Sequence, residues 1–309
     1  MKYLNLGSNL QEASQLILGC MRMAECSPQE IVRVLSTSQE LGINFYDHSD
    51  VYAGGQAESS FARGLKEAKI PRDRVLIQSK CGLRDVHDNY HFDFSKDYIL
   101  SSVEASLQRL ETDYLDVLLL HRPDALVEPE EVAEAFEQLY QAGKVRYFGV
   151  SNQNPYQIEL LQKSVKQKLI INQVQFGPAH TPMLDQGLNV NMQNTLALDR
   201  AGGLLDYCRL HDITLQPWSP FQVDLSQGLF MKHPKYQQLT SCLEKFASQY
   251  GVSLEAMVLA WILRHPAKMQ PIIGSMNPER ITSITRAFEI QLSRPDWYEI
   301  YKSAGNPLP

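Results

Sequence analysis

No apolar run in this 309-residue chain reaches the ~18 residues that a membrane span requires. No basic segment followed by an apolar core opens it, so a secretory leader is not expected. Basic runs and basic-aromatic stripes are missing, and the net charge is −6, which argues against nucleic acid as a partner. No two cysteines form a C-x-x-C pair. The five present, Cys20, Cys26, Cys81, Cys208 and Cys242, are scattered and odd in number, as expected of reduced thiols in a cytoplasmic protein. No G-x-G-x-x-G follows a strand-like run, which excludes the doubly wound fold built on that loop. The eight histidines are dispersed. Only His87 and His91, with Asp88 and Asp93 nearby, lie close together, and they fall in an irregular stretch where a metal site is not expected.

What the chain does have is repetition. Apolar strand-like runs fall at 16–20, 43–47, 75–79, 115–120, 145–150, 169–176, 213–218 and 270–274, after a short hairpin-like start within 1–13. Segments of helical period separate them. Ser27-Pro28-Gln29-Glu30 reads as a helix start, with a capping serine, proline at the first helical position and glutamate three residues on. Ile31, Val34, Leu35 and Leu41 then share one face up to Gly42. Segments 95–110 and 129–142 repeat the pattern, 235–266 holds two further helices, and 295–304 an extra C-terminal one. Strands alternating with helices imply a parallel sheet. Eight such units without an internal linker predict one domain over 1–309, a closed (β/α)8 TIM barrel with an extra C-terminal helix. Segments 81–94, 177–194 and 219–235 are the least regular. Each follows a strand, which places it on the face where barrel active sites lie. His87, His91, Phe92 and Met183 are candidates for the walls of a pocket there.

Three successive strand runs end in ionisable residues: the second in Asp47, the third in Lys80, the fourth in His121. Neighbouring strands lie ~4.8 Å apart, so the three ends can converge, with Tyr52 overhanging from the loop that closes in Gly54-Gly55. A phenol, a lysine, a carboxylate and an imidazole together suit the reduction of a carbonyl by hydride, in which negative charge builds on oxygen. Tyr52 then donates the proton, Lys80 lowers the phenol pKa, Asp47 holds and neutralises Lys80, and His121 orients the carbonyl or helps relay the proton. Taken singly, each has an ordinary explanation: an interface aromatic, a solvated lysine, a turn cap, a core histidine. Their placement at consecutive strand ends is what carries the reading. His48, beside Asp47, is expected to pack or to support the site from behind.

The order D-x-x-x-x-Y, strand-S-K, L-L-L-H-R-P-D, G-V-S-N, N-Q-V-Q-F and W-S-P resembles the aldo-keto reductase family from about Leu18 to Ala287, and D-H-S-D-V-Y-A-G-G-Q-A-E is similar to a bacterial branch of general oxidoreductases. The resemblance implies a (β/α)8 barrel that reduces aldehydes or ketones with NADPH, usually without metal. Tyr52 is then the general acid, Asp47 and Lys80 tune it, and His121 orients a small carbonyl substrate. It implies cofactor contacts as well: Met21 after the first strand, Ser151, Asn152 and Gln173 on the nicotinamide carboxamide, Trp218 under the ring, and Ser219 and Phe221 around the pyrophosphate. Amide-bearing and hydroxyl side chains do supply the donors and acceptors that a carboxamide needs. Beyond Gly274 and Ser275, Asn277-Pro278 starts a helix whose free N–H groups and Arg280 suit the 2′-phosphate. Gly274 stands where many relatives carry lysine, and Ile284 where many carry asparagine. The resemblance therefore implies NADPH while leaving NADH open. Two rival readings are a metal-dependent barrel hydrolase and an NADPH-binding sensor or regulatory subunit with little turnover.

Overall fold

A parallel sheet forms wherever those apolar runs recur, because strands covered on both faces need apolar side chains throughout. The computed structural model describes residues 1–7, 10–86, 89–224 and 226–309. Its eight-stranded sheet comprises β1 (Ile17–Gly19), β2 (Phe45–Asp47), β3 (Leu76–Cys81), β4 (Leu115–Leu120), β5 (Val145–Ser151), β6 (Leu169–Gln175), β7 (Thr214–Trp218) and β8 (Ile272–Ile273). Neighbours run 7-6-5-4-3-2-1-8, all pairings parallel. Gln270 N donates to Leu215 O at 3.0 Å, which draws the eighth strand against the seventh and nearly closes the barrel. The (β/α)8 expectation holds.

Two apolar layers support it. Outside the barrel, strand residues such as Leu118, Phe148 and Val150 meet helix residues such as Ile31, Val103 and Phe136. The helix over Pro28–Glu40 opens with the expected capping box, Ser27 and Glu30 each satisfying the other's backbone N–H. Inside, Ile17, Phe45, Val117, Leu119 and Ile171 form a second cluster with Leu6, Leu10 and Ala13. Those last three belong to the N-terminal hairpin, Tyr3–Leu6 against Leu10–Ser14, which covers the bottom of the barrel. The C-terminal helix Arg294–Ser303 docks through reciprocal bonds: the indole N–H of Trp261 donates to Trp297 O at 3.0 Å, and that of Trp297 to Trp261 O at 2.9 Å.

The segments after strands are more regular than the sequence suggests. After β3 a second hairpin pairs Leu83–Val86 with Asn89–Phe92. The polar run between the two strands hides their alternation in the sequence. After β6 a helix spans Pro182–Leu188. Gly177 lets this part of the chain pass the segment after β7, since a Cβ there would meet Pro220 O at 2.3 Å. No single helix among the described residues is long and apolar enough to cross a membrane.

Candidate active site

Parallel pairing puts the carboxyl ends of all eight strands at one mouth. Asp47, the last residue of β2, lies opposite Gly19 on one side and Gln78 on the other, and Lys80 of β3 lies opposite Leu119. Beyond β2 the chain turns through Ala53, Gly54 and Gly55, all with positive φ, and this folds Tyr52 back over the strand ends.

The expected group does converge. Lys80 Nζ has no measurable exposure and spends its three N–H donors on Asp47 Oδ2 at 2.8 Å, the carbonyl oxygen of His48 at 2.7 Å and the Tyr52 hydroxyl at 3.0 Å. An ammonium has no lone pair, so the Tyr52 oxygen must accept from it. The phenolic proton is thereby turned away from Lys80. The His121 ring stands edge-on to Tyr52 with centroids 6.0 Å apart.

One expectation is corrected. Lys80 does not bring the phenol below its ordinary value. Burial of the hydroxyl is the largest influence and raises its pKa, Lys80 pulls it down, Asp47 pushes it up again, and the net shift is upward. Lys80 itself is raised: burial works against the ammonium, but Asp47 and Tyr52 outweigh it. At neutral pH the pair is therefore a protonated phenol beside a protonated amine.

Asp47 is held from below by a ladder of amides. Gln78 and Gln173 donate to its Oδ1 at 2.6 and 2.9 Å and both also donate to Gln216 Oε1, Gln216 donates to Gln270, and Gln270 to Ser14 O. The amide N–H groups of Gln173 are thus turned into the barrel. A second chain runs behind His121, whose Nδ1 lies 3.0 Å from Ser49 Oγ. Ser49 has one O–H to give, either to His121 Nδ1, which leaves the proton of a neutral ring on Nε2 facing the mouth, or to Asp50 Oδ1 at 3.1 Å, and Asp50 accepts from Ser102 and Tyr98 as well. His121 is pushed well below the usual imidazole range by burial, then by Lys80 and Arg122, so it is neutral at pH 7. Sequence reasoning missed Ser49 and Asp50, although the run His48-Ser49-Asp50 between Asp47 and Tyr52 is conspicuously polar.

His48 packs, as expected. It is fully buried, edge-on to Phe61 at 4.5 Å, and neither ring nitrogen has a partner among the described residues. Burial, then Lys80, takes its pKa down to about 3. The unfolded chain protonates this ring below about pH 6.5 and the folded chain does not, so stability is flat above that value and falls as pH drops toward about 3, by roughly 1.4 kcal/mol per unit. His48→Leu should remove about 2 kcal/mol of the parent's loss between pH 7.5 and 5. Urea midpoints at the two pH values check this, and an unchanged acid slope refutes it.

Around Tyr52 and His121 lies a cavity of about 240 Å³, lined by Gly19, Met21, Arg22, Asp47, Ser151, Asn152, Gln173, Trp218, Ser219, Phe221 and Gly274 among others. Nearly all the expected cofactor residues therefore share one space. Arg22, which donates to Gly274 O at 3.2 Å, was not foreseen. Ser275 and Arg280 lie outside the lining. Arg280 sits in the first turn of helix Pro278–Thr285, exposed, with Glu255 at 3.9 Å. Ile284 is buried in the core. Asn152 and Ser219 hold positive φ at the mouth, where such strained backbone clusters at functional sites. Asn152 Oδ1 accepts from the Trp218 indole at 3.1 Å, and its amide donates to Ser151 Oγ at 2.7 Å. Gln222, which lines the same space, has a buried Oε1 without a partner among the described residues. An orphaned acceptor beside an indole face, amides and hydroxyls fits a nicotinamide nucleotide.

A second cavity of about 590 Å³ adjoins the first through Arg122, Asn152 and Trp218, and Met183 lines it. His91 and Phe92 line neither, and His87 lies outside the described residues. No three His, Cys, Asp or Glu side chains among the described residues are placed to hold a metal ion.

A barrel mouth with this tetrad and this cavity defines a class, the nicotinamide-dependent oxidoreductases of the (β/α)8 type. The Aldo/keto reductase family model matches residues 15–304, and the chain belongs to that family. Oxidoreductase YdhF of Escherichia coli (strain K12) is 36% identical over 300 residues, 95% of this chain and 94% of that protein. A 6-dehydroglucose reductase of Agrobacterium fabrum is 32% identical over 307 residues, 96% of each chain. The crystal structure of the thermostable aldo-keto reductase Tm1743 with the inhibitor epalrestat superposes with a TM-score of 0.78 at 25% identity, covering 98% of this chain and all of that one. The protein is an NAD(P)H-dependent oxidoreductase acting on small carbonyl compounds.

Proposed function

We propose that the protein reduces an aldehyde or ketone to the alcohol with NADPH, and that Tyr52 gives the carbonyl oxygen its proton. The observation that carries this is the Lys80 ammonium, 3.0 Å from the Tyr52 oxygen, with its other two N–H groups bound to Asp47 and His48 O. When bound, the dinucleotide supplies hydride. Trp218 would offer its ring to the nicotinamide, Ser151, Asn152 and Gln173 would meet the carboxamide, and Met21, Ser219, Phe221 and Gly274 would hold the rest of the dinucleotide. Neutral His121, backed by Ser49, orients the carbonyl toward Tyr52. The oxyanion would form beside a phenol whose proton is turned away from Lys80 and so is free to move to it. Asp47 keeps Lys80 charged, and Lys80 stabilises the phenolate that remains. Five free thiols, three of them buried, suit a reducing compartment such as the cytoplasm.

The test is cofactor consumption across aldehydes, ketones and quinones with NADPH and NADH in parallel. No oxidation above the rate without substrate, in steady state or in a single turnover of bound NADPH, refutes the proposal. Ser275 and Arg280 are assigned to the 2′-phosphate, where the capped helix start and a planar guanidinium favour an anion. Arg280→Ala should weaken NADPH about 10-fold, the value of one charge-assisted hydrogen bond, and NADH by less than about twofold. Fluorescence titration with both nucleotides checks it, and equal losses refute the role.

A further inference from the structure

The two cavities divide the mouth by strand. The space around Tyr52 continues toward the ends of β7, β8 and β1, where Ser219, Phe221, Gly274 and Met21 lie. The adjoining space runs the other way, over β4 to β6, past Arg122, Asn152, Gln153, Gln175 and His180 to Arg200 at its rim. A dinucleotide laid along the first would leave the second to the substrate, and several polar side chains stand among its largely apolar walls.

Two of those polar groups are unsatisfied among the described residues. Arg122, next to His121, is half-buried with its guanidinium 5.5 Å from the centre of the Trp218 ring, and none of the described carboxylates forms an ion pair with it. The carboxylate on the same wall, Asp224, is saturated by its own loop: it accepts from Ser226 N and Oγ at 2.8 Å each, from Gln227 N at 2.7 Å and from the Gln227 side chain. Arg200 donates to Thr195 O at 3.1 Å and has no ion pair among the described residues. A guanidinium fork held against an indole, with no carboxylate partner among the described residues, is suited to a carboxylate or phosphate. The second group is Gln153. It is 3% exposed, and its Oε1 is buried without a hydrogen-bond partner among the described residues. An orphaned buried acceptor costs about as much as a lost hydrogen bond, and because Gln153 lines the cavity, a turn of its amide would bring this oxygen to a ligand hydroxyl there.

We infer that the substrate is a hydroxylated aldehyde or ketone bearing a carboxylate or phosphate, with Arg122 receiving the anion and Gln153 a hydroxyl, while the carbonyl lies between His121 and Tyr52. This rests on the reductase reading above. It goes further by fixing what the rest of the substrate carries.

Two pairs of probes test it with the full-length protein and NADPH: glyceraldehyde against glyceraldehyde 3-phosphate, and butyraldehyde against succinic semialdehyde. The anionic member of each pair should have a kcat/KM about 10- to 100-fold higher, the range for one hydrogen bond to a charged group. Arg122→Gln should bring both charged-to-neutral ratios to about one, chiefly through KM, and Arg122→Lys should restore part of the difference. Gln153→Leu should raise KM for glyceraldehyde 3-phosphate more than for succinic semialdehyde, which has no hydroxyl. Neutral aldehydes turned over as well as their charged partners, or Arg122→Gln costing both members equally, overturns the anion assignment and leaves the reductase reading intact. Equal KM shifts in Gln153→Leu overturn the hydroxyl assignment. No NADPH oxidation with any of the four removes the reductase reading itself.

Discussion

Tyr52→Phe lowers kcat by about 10²- to 10⁴-fold, the usual contribution of a positioned acid, and leaves the NADPH dissociation constant within about a factor of two. The substitution keeps the ring and removes only its oxygen. That oxygen accepts from Lys80, so its own proton is the one free to reach a carbonyl. The ring edge against His121 survives, and so do Trp218, Ser151 and Asn152, hence the unchanged nucleotide affinity. Steady-state rates and a fluorescence titration on the same variant separate the two effects. A kcat within a few-fold of the parent means that another group protonates the product. The upward shift of the phenol adds a second expectation. A general acid works only while protonated, so activity through Tyr52 persists below its pKa and is lost above it. Because burial places that pKa above the ordinary phenol value near 10, the alkaline limb of kcat should not begin below it. An alkaline limb centred near pH 8 and absent from Tyr52→Phe would show that Lys80 wins over burial after all.

The tetrad was legible because each of its strand-end members breaks an apolar run. Asp47 ends Phe45-Tyr46, Lys80 nearly ends β3, and His121 follows six buried residues of β4. The strands were legible for the same reason, burial on both faces. The amides beneath Asp47 were not. Gln78, Gln216 and Gln270 each interrupt a strand or its approach, and they gain meaning only through partners 138, 54 and 256 residues away. No local pattern encodes those pairings. Ser49 has a similar history, since its partner His121 is 72 residues distant. The sign of the Tyr52 shift was misjudged for a related reason. The pull of Lys80 follows from strand neighbours, whereas the dryness of the hydroxyl depends on how several loops close over the mouth.

Asp47→Ala should destabilise the protein by about 3–5 kcal/mol, the usual result of leaving one member of a buried ion pair alone, besides abolishing turnover. Lys80 would keep only His48 O and the Tyr52 hydroxyl, both neutral, with no exposure to water. Gln78 and Gln173 would each lose an acceptor inside the barrel. The pH dependence distinguishes this cause from a simple cavity. In the parent the Lys80 pKa is raised, so its protonated form favours the fold; that contribution is full below the unfolded-chain value near 10.4 and is lost as pH climbs from there through the raised value. Without Asp47, burial of the ammonium is opposed only by the Tyr52 contacts. The Lys80 pKa should then fall below that of the unfolded chain, near 10.4, and the variant should gain stability as pH rises toward that value. The gap between parent and variant therefore narrows from pH 7 to pH 10. Adding Lys80→Met removes the stranded charge, so the double variant should recover most of the loss although it stays inactive. Urea unfolding of the parent, both single variants and the double variant at two pH values completes the cycle. Additive losses, or a gap that does not change with pH, would mean that Asp47 and Lys80 do not act as a pair.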